Sequence, residues 1–268
     1  MKNLTLLFLV SLIYATPSYA RKARTLNKVL ILKAGRTGGA NGTAVAWNPE
    51  KKLYYGGITG NTYFPMFAFN SDGKAISDNL LETMFDLRGL WYNPISKTLQ
   101  VNGFREYGLG EYTLDENGFP ESVKKMKAPS YQPNKQCTGA FDSASNSIIY
   151  FDYSTVRIVK QPLTGDTTSV ELHLGVKKKK KIKQHQNATE RKNYNENTCI
   201  IVTGKSSLLG LLNVKDKQID LYDLQTGLLK KQLKIPADAP VESSLNFGYC
   251  NGIYWLFDKK KREWIGYQ

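Results

Sequence analysis

The sequence contains few of the residues that build most catalytic and metal sites. Of its 268 residues only two are histidine and three are cysteine, and no CxxC pair is present. His173 falls in a predicted strand and His185 in a lysine-rich stretch, so we expect neither to reach a common centre. The composition therefore argues against a Ser-His-Asp triad and against a multi-histidine zinc or copper site.

The odd number of cysteines leaves at least one thiol unpaired. Cys137 and Cys199 open equivalent predicted strands, whereas Cys250 lies in a predicted turn. We expect three structural thiols, with a bridge between Cys137 and Cys199 as the alternative in an exported protein.

Long apolar runs are absent beyond the first 20 residues. Residues 4–15 are apolar but fall short of the roughly 20 residues that span a membrane. The run ends with small residues, Ser18 and Ala20, at the two positions that a signal peptidase reads. We predict a secretory signal peptide over residues 1–20 and an exported protein, periplasmic or extracellular, without a transmembrane segment.

The net positive charge comes from two segments. The chain has 37 basic and 23 acidic residues, a formal net charge of +14. Residues 21–36 carry six basic residues and no acidic one, and residues 177–192 carry eight basic residues against Glu190 alone. Outside these two segments and Lys2 of the signal peptide, basic and acidic residues are equal in number. We therefore expect a neutral body with two basic segments.

Short strands and turns recur along the chain with a regular spacing. Trp47-Asn48-Pro49 and Trp91-Tyr92-Asn93-Pro94 each stand between two predicted strands, and a further strand leads into each turn glycine, Gly73, Gly118, Gly165 and Gly227. The first two glycine spacings are 45 and 47 residues, and the third, 62, contains a basic segment. Each copy predicts four strands, the content of one propeller blade.

These repeats resemble those of a β-propeller. They predict an all-β chain with a single propeller domain over residues 21–268, built from five four-stranded blades. The fifth copy stops after residues 263–267, so we expect the N-terminal strand, residues 27–33, to complete the last blade and leave few open edges. Residues 220–227 are similar to strands of bacterial YVTN-type and quinoprotein-type propellers, whereas the WD40 and kelch signatures are absent. A pair of β-sandwiches is the alternative.

The predicted strand order places two sets of connections on one face of the propeller. One set joins the fourth strand of a blade to the first strand of the next blade, and the other joins the second and third strands within a blade. We call this face the basic face. Resemblance to other propellers implies that it carries the ligand site. An insert at residues 177–197, predicted to be disordered, belongs there. The candidate binding residues are Arg88, Arg105, Tyr107, Lys259, Lys260, Lys261 and Arg262, and the candidate channel-mouth residues are Asn41, Gln136, Asn197, Glu242 and Ser243.

The first functional hypothesis is an exported binding module whose basic face takes an anionic cell-envelope polymer, a glycan or a protein partner, with nucleic acid a weaker candidate. The alternative is a lactonase or glycosidase at the channel mouth, using Glu242 with Asp86 nearby. No catalytic residue, metal site or cofactor is assigned. A channel calcium ion held by Asn41, Asn197, Glu242 and Asn246 stays open as a weaker hypothesis.

Overall fold

The computed structural model describes residues 23–35, 41–76, 81–104, 107–127, 132–178, 189–204 and 206–268. The predicted signal peptide, Arg105 and residues 179–188 of the insert lie outside these ranges. Among the described residues no helix has the length and apolar character needed to cross a bilayer.

The described chain forms five sheets, and each is one blade. Blade 1 consists of β3 (Asn41–Asn48), β4 (Leu53–Thr59), β5 (Pro65–Phe69) and β6 (Leu81–Glu82). Blade 2 consists of β7 (Leu87–Asn93), β8 (Thr98–Gly103), β9 (Leu109–Leu114) and β10 (Pro120–Lys127). Blade 3 consists of β11 (Ala140–Asp142), β12 (Ser147–Asp152), β13 (Arg157–Pro162) and β14 (Thr168–Glu171).

Blades 4 and 5 both recruit strands from the N-terminal segment. Blade 4 consists of β15 (Ile200–Val202), β16 (Leu208–Asn213), β17 (Gln218–Asp223) and β18 (Leu229–Lys234), with β1 (Arg24–Thr25) added in parallel at its edge. Blade 5 consists of β19 (Phe247–Cys250), β20 (Ile253–Asp258), β21 (Glu263–Tyr267) and β2 (Lys28–Lys33), which runs antiparallel to β21.

The positions of the turns are set by an Asn or Asp at the end of a strand, whose side-chain oxygen accepts hydrogen bonds from backbone N–H groups of the turn. Asn48 Oδ1 accepts a hydrogen bond from the backbone N–H of Glu50 at 3.0 Å, and Lys52, four residues after Asn48, takes a left-handed conformation with φ of 56°. Asn93 and Lys97 repeat this arrangement in blade 2. The same Asn or Asp spacing occurs before Asn146, Val156, Lys217 and Arg262.

The blades close into a ring. The five inner strands contact one another in the order β3, β7, β11, β15, β19 and back to β3. Five hydrophobic clusters fill the spaces between neighbouring blades. Leu32 of β2 has no exposed surface and packs with Trp255 and Trp264 between blades 5 and 1. The five-bladed propeller and its closure by the N-terminal strand are therefore confirmed.

Some details differ from the prediction. The outer strand of blade 1, β6, does not directly follow the turn at Gly73, as the regular spacing of the repeats would suggest; Ala75 makes only an isolated bridge to Phe69. The short strand β1 was not predicted. Cys137 and Cys199 are free, buried thiols, so the alternative disulfide is not formed.

Candidate binding face

The basic face is built by connections that follow from the antiparallel strand order. On it lie the starts of the five inner strands and the turns between the second and third strands of each blade. The opposite face carries the turns that link first to second and third to fourth strands. Lys259, Lys260, Lys261 and Arg262 thus share a face with Asn41, Arg88, Gln136, Asn197 and Glu242, as predicted from strand order.

Arg88 is held by a full set of partners rather than presented to solvent. Its Nη1 donates to Asp86 Oδ1 at 2.7 Å, its Nε donates to Gln136 Oε1 at 2.7 Å, and its guanidinium lies 4.7 Å from the centre of the Phe104 ring. Only 5% of the residue is exposed. Arg88 and Gln136, two separate candidates in the sequence, therefore meet and tie blade 2 to the connection that leads into blade 3.

The cationic turn of blade 5 is partly neutralised within the protein. Lys259 Nζ lies 3.1 Å from Glu242 Oε2, and Lys261 Nζ lies 4.0 Å from Asp258 Oδ2. Arg262 is half-buried with its guanidinium 5.2 Å from the centre of the Phe257 ring, and burial lowers its pKa. Lys260 is exposed and, among the described residues, pairs with no carboxylate.

Uncharged groups join neighbouring blades at the channel mouth. Asn41 Nδ2 donates to the Ser244 carbonyl at 3.3 Å, and Asn197 Nδ2 contacts Ser244 Oγ at 2.7 Å. The Ser243 carbonyl accepts from the Glu196 N–H at 2.8 Å. These predicted mouth residues come together, but their amide and carbonyl groups mainly stabilise the contact between blades.

Sequence reasoning missed Asn195 because it lies in the segment interpreted as a disordered insert. It has no exposed surface, and its Nδ2 donates to the carbonyls of Glu242 and Leu245, each at 2.9 Å. Residues 189–193 are helical and include the 3-10 helix Arg191–Asn193, and the Val214 N–H donates to the Asn193 carbonyl at 2.7 Å. This part of the insert is thus packed onto blade 4.

The carboxylates proposed for hydrolysis are each engaged by a cation. Glu242 faces Lys259, and Asp86 faces Arg88. The Asn246 amide, a candidate calcium ligand, donates to the carbonyls of Pro240 and Phe257 at 2.8 and 3.2 Å. The described part of the chain contains no group of three His, Cys, Asp or Glu side chains suited to a metal ion.

Tyr107 belongs to the packing of blade 2. Its ring centre lies 5.9 Å from that of Phe85, and its Cβ occupies the space that a side chain at Gly103 would fill. The sequence predicted Tyr107 as a binding residue, whereas its described contacts are those of a half-buried core aromatic.

Unpaired cations nevertheless outnumber unpaired carboxylates on this face. Six exposed lysines lie on its described connections without a carboxylate within ion-pair distance; they are Lys135, Lys177, Lys178, Lys192, Lys215 and Lys260. Glu196, Asp216 and Asp238 are the exposed acidic residues of the same described connections that likewise lack an ion pair. The face therefore keeps an excess of positive charge after internal neutralisation.

The chain is similar to known proteins in fold and not in sequence. No protein-family model and no curated protein sequence matches the chain. The crystal structure of glutaminyl cyclase from Myxococcus xanthus has a TM-score of 0.56 at 8% identity and covers 91% of this chain and 96% of that one. The common feature is the propeller fold. The crystal structure of a nidogen/laminin complex has a TM-score of 0.47 at 11% identity. The match covers 74% of this chain and 65% of that one.

Proposed function

We propose that this protein is a non-enzymatic propeller module that binds an extended anionic polymer through its basic face. The observation that carries the proposal is the excess of exposed, unpaired lysines on that face. They are spread over connections that follow blades 2 and 3 and over turns of blades 4 and 5. A long polyanion contacts such dispersed cations together, whereas a small anion reaches one or two of them.

Binding of this kind draws on charge more than on shape. Cations held on a rigid frame raise the local potential and release counterions when the polymer binds, so affinity falls as salt rises. Together with the predicted export of the chain, this favours a phosphate- or sulfate-bearing cell-envelope polysaccharide. An acidic protein surface is the alternative partner for the same charges.

The test compares two double variants that remove the same charge from opposite faces. Lys135→Gln with Lys260→Gln neutralises the basic face. Lys52→Gln with Lys74→Gln neutralises two exposed lysines on the opposite face. Affinity for dextran sulfate is measured by calorimetry between about 50 and about 500 mM NaCl, a range over which polyelectrolyte contacts weaken strongly.

We expect the basic-face variant to bind more weakly and with a shallower dependence of log K on log salt, by about one unit per lost contact. The control should resemble the wild type. Affinity that ignores salt, or falls equally in both variants, contradicts the proposal. The contribution of the insert is best tested by Lys177→Gln with Lys178→Gln, because deletion through residue 192 would disturb the contact between Asn193 and Val214.

A further inference from the structure

The central channel opens on the opposite face into a bowl lined by aromatic side chains. Trp47 of blade 1, Trp91 and Tyr92 of blade 2, Phe141 of blade 3 and Tyr249 of blade 5 line a cavity of about 390 Å³. This volume falls in the range of about 300–1,000 Å³ typical of small-molecule sites. We call this cavity the aromatic bowl.

The wall formed by blades 2 and 3 is held in a fixed orientation. The rings of Trp91 and Phe141 stack with centres 6.2 Å apart and planes 12° from parallel. Trp91 Nε1 donates to Gln100 Oε1 at 3.1 Å, and Gln100 Nε2 donates to Glu111 Oε2 at 2.9 Å. Gln100 and Glu111 are both buried. These two hydrogen bonds therefore fix the indole of Trp91 and leave the polar groups that line the cavity available to a ligand.

The wall formed by blades 5 and 1 is supported in the same way. Trp47 packs against Tyr54 with ring centres 4.3 Å apart, and Tyr249 packs against Tyr254 at 4.8 Å. The Tyr54 hydroxyl receives a hydrogen bond from Asn251 Nδ2 at 2.7 Å. The aromatic surfaces are therefore preorganised, which reduces the entropy lost when a ligand binds.

The described residues that line the bowl offer no formal charge to a ligand. None of the described residues that line it is ionised at neutral pH, and Glu50 and Lys97 on its adjoining turns pair with each other at 3.1 Å. The polar side chains of its lining are uncharged and include the hydroxyls of Ser143, Thr203, Tyr92 and Tyr249 and the amide of Asn251. A charged ligand would lose hydration there without gaining a partner.

We propose that the aromatic bowl binds one ring of a neutral sugar. A pyranose has C–H groups on its faces, which pack on the electron-rich faces of aromatic rings, and hydroxyls at its edge, which need hydrogen-bond partners. The bowl supplies both, with aromatic walls and uncharged hydroxyl and amide groups. The site lies on the face opposite the proposed polyanion site, and it neither uses nor requires the lysines of that site.

The test is calorimetry of the full chain with a panel of neutral oligosaccharides. The panel contains cellohexaose, mannohexaose, xylohexaose and chitotetraose, with nonaproline as the competing class because aromatic grooves also bind extended proline segments. High salt, about 500 mM NaCl, suppresses binding to the basic face. Failure of this site and failure of the polyanion site are then separate outcomes.

We expect at least one of these sugars to bind and Trp47→Leu to weaken it by about tenfold, the loss of one aromatic stacking contact. Phe141→Leu should act similarly, and Ser143→Ala with Thr203→Val, which leaves the walls intact, should weaken binding severalfold. Tyr63→Ala is the control, since Tyr63 is an aromatic that is 71% exposed on the basic face.

Three results would overturn the proposal. The first is that no sugar of the panel binds the wild type. The second is that a sugar binds but Trp47→Leu, Phe141→Leu and the rim variant all retain wild-type affinity. The third is that nonaproline alone binds. Unfolding midpoints of all variants separate lost binding from lost folding, and the rim variant carries the test if the wall variants fail to fold.

Discussion

Closure of the ring by strand β2 predicts a large difference between two substitutions on that strand. Leu32 has no exposed surface and packs among the rings of Trp255, Phe257 and Trp264, whereas Val29 is 47% exposed. Leu32→Ala removes buried atoms from between rigid rings that collapse poorly, so we expect a loss of about 3 kcal/mol in unfolding free energy. Val29→Ala should change it by less than about 0.5 kcal/mol.

Urea unfolding measures this difference. With an m value of about 3 kcal/mol/M, Leu32→Ala should lower the midpoint by about 1 M and Val29→Ala by less than about 0.2 M. Tryptophan fluorescence follows the unfolding, because three of the four tryptophans, Trp47, Trp255 and Trp264, pack in the affected cluster. Equal shifts for the two variants, or none for Leu32→Ala, would refute closure of blade 5 by this strand.

Two further predictions concern packing and buried charge. A Cβ at Gly42 would lie 2.4 Å from a Phe257 ring atom, so Gly42→Ala should cost about 1–3 kcal/mol of unfolding free energy. At Gly204 the nearest described atom beyond the adjacent residues is 4.0 Å from such a Cβ, so Gly204→Ala should change the urea midpoint little. Burial raises the pKa of Asp220, although the Tyr194 hydroxyl donates to it at 2.6 Å. The native state therefore holds the Asp220 proton more tightly, and its stability falls as pH rises through this pKa. Asp220→Asn should thus gain stability relative to the wild type as pH rises above the ordinary aspartate pKa of about 4; a relative gain by the wild type would contradict this.

The blades could be predicted from the sequence because their determinants are local. Asn48 and Asn93 each begin a turn by bonding to backbone N–H groups within three residues, so strand, turn and strand follow one another in a short window. Closure was also predictable, because the last repeat lacks a strand and residues 27–33 supply one.

The charge balance of the basic face could not be predicted in the same way. Glu242 neutralises Lys259, and Gln136 satisfies Arg88, across 17 and 48 residues of chain. Such pairs depend on how the connections of different blades fold over the mouth. Repeat periodicity carries no information about those connections, so the pairing of Lys259 and Lys261 with carboxylates could not be read from the sequence.

The aromatic bowl could have been predicted from the sequence. Trp47, Tyr92 and Phe141 hold equivalent positions in three successive repeats, each one residue before the Asn or Asp that begins the turn after the first strand. Residues equivalent by repeat converge around a propeller axis, so an aromatic cluster at one channel end follows from the alignment. The prediction instead placed the ligand site at the other end, because it followed resemblance to other propellers and the distribution of lysines.

The location of polyanion binding is the most direct test of the proposed function. Acetylation rates of individual lysines, measured by mass spectrometry with and without dextran sulfate, report which face the polymer covers. We expect slower modification of Lys135 and Lys260 when the polymer is present, with Lys52 and Lys74 unchanged. Equal protection of all four lysines, or protection of Lys52 and Lys74 alone, would contradict it.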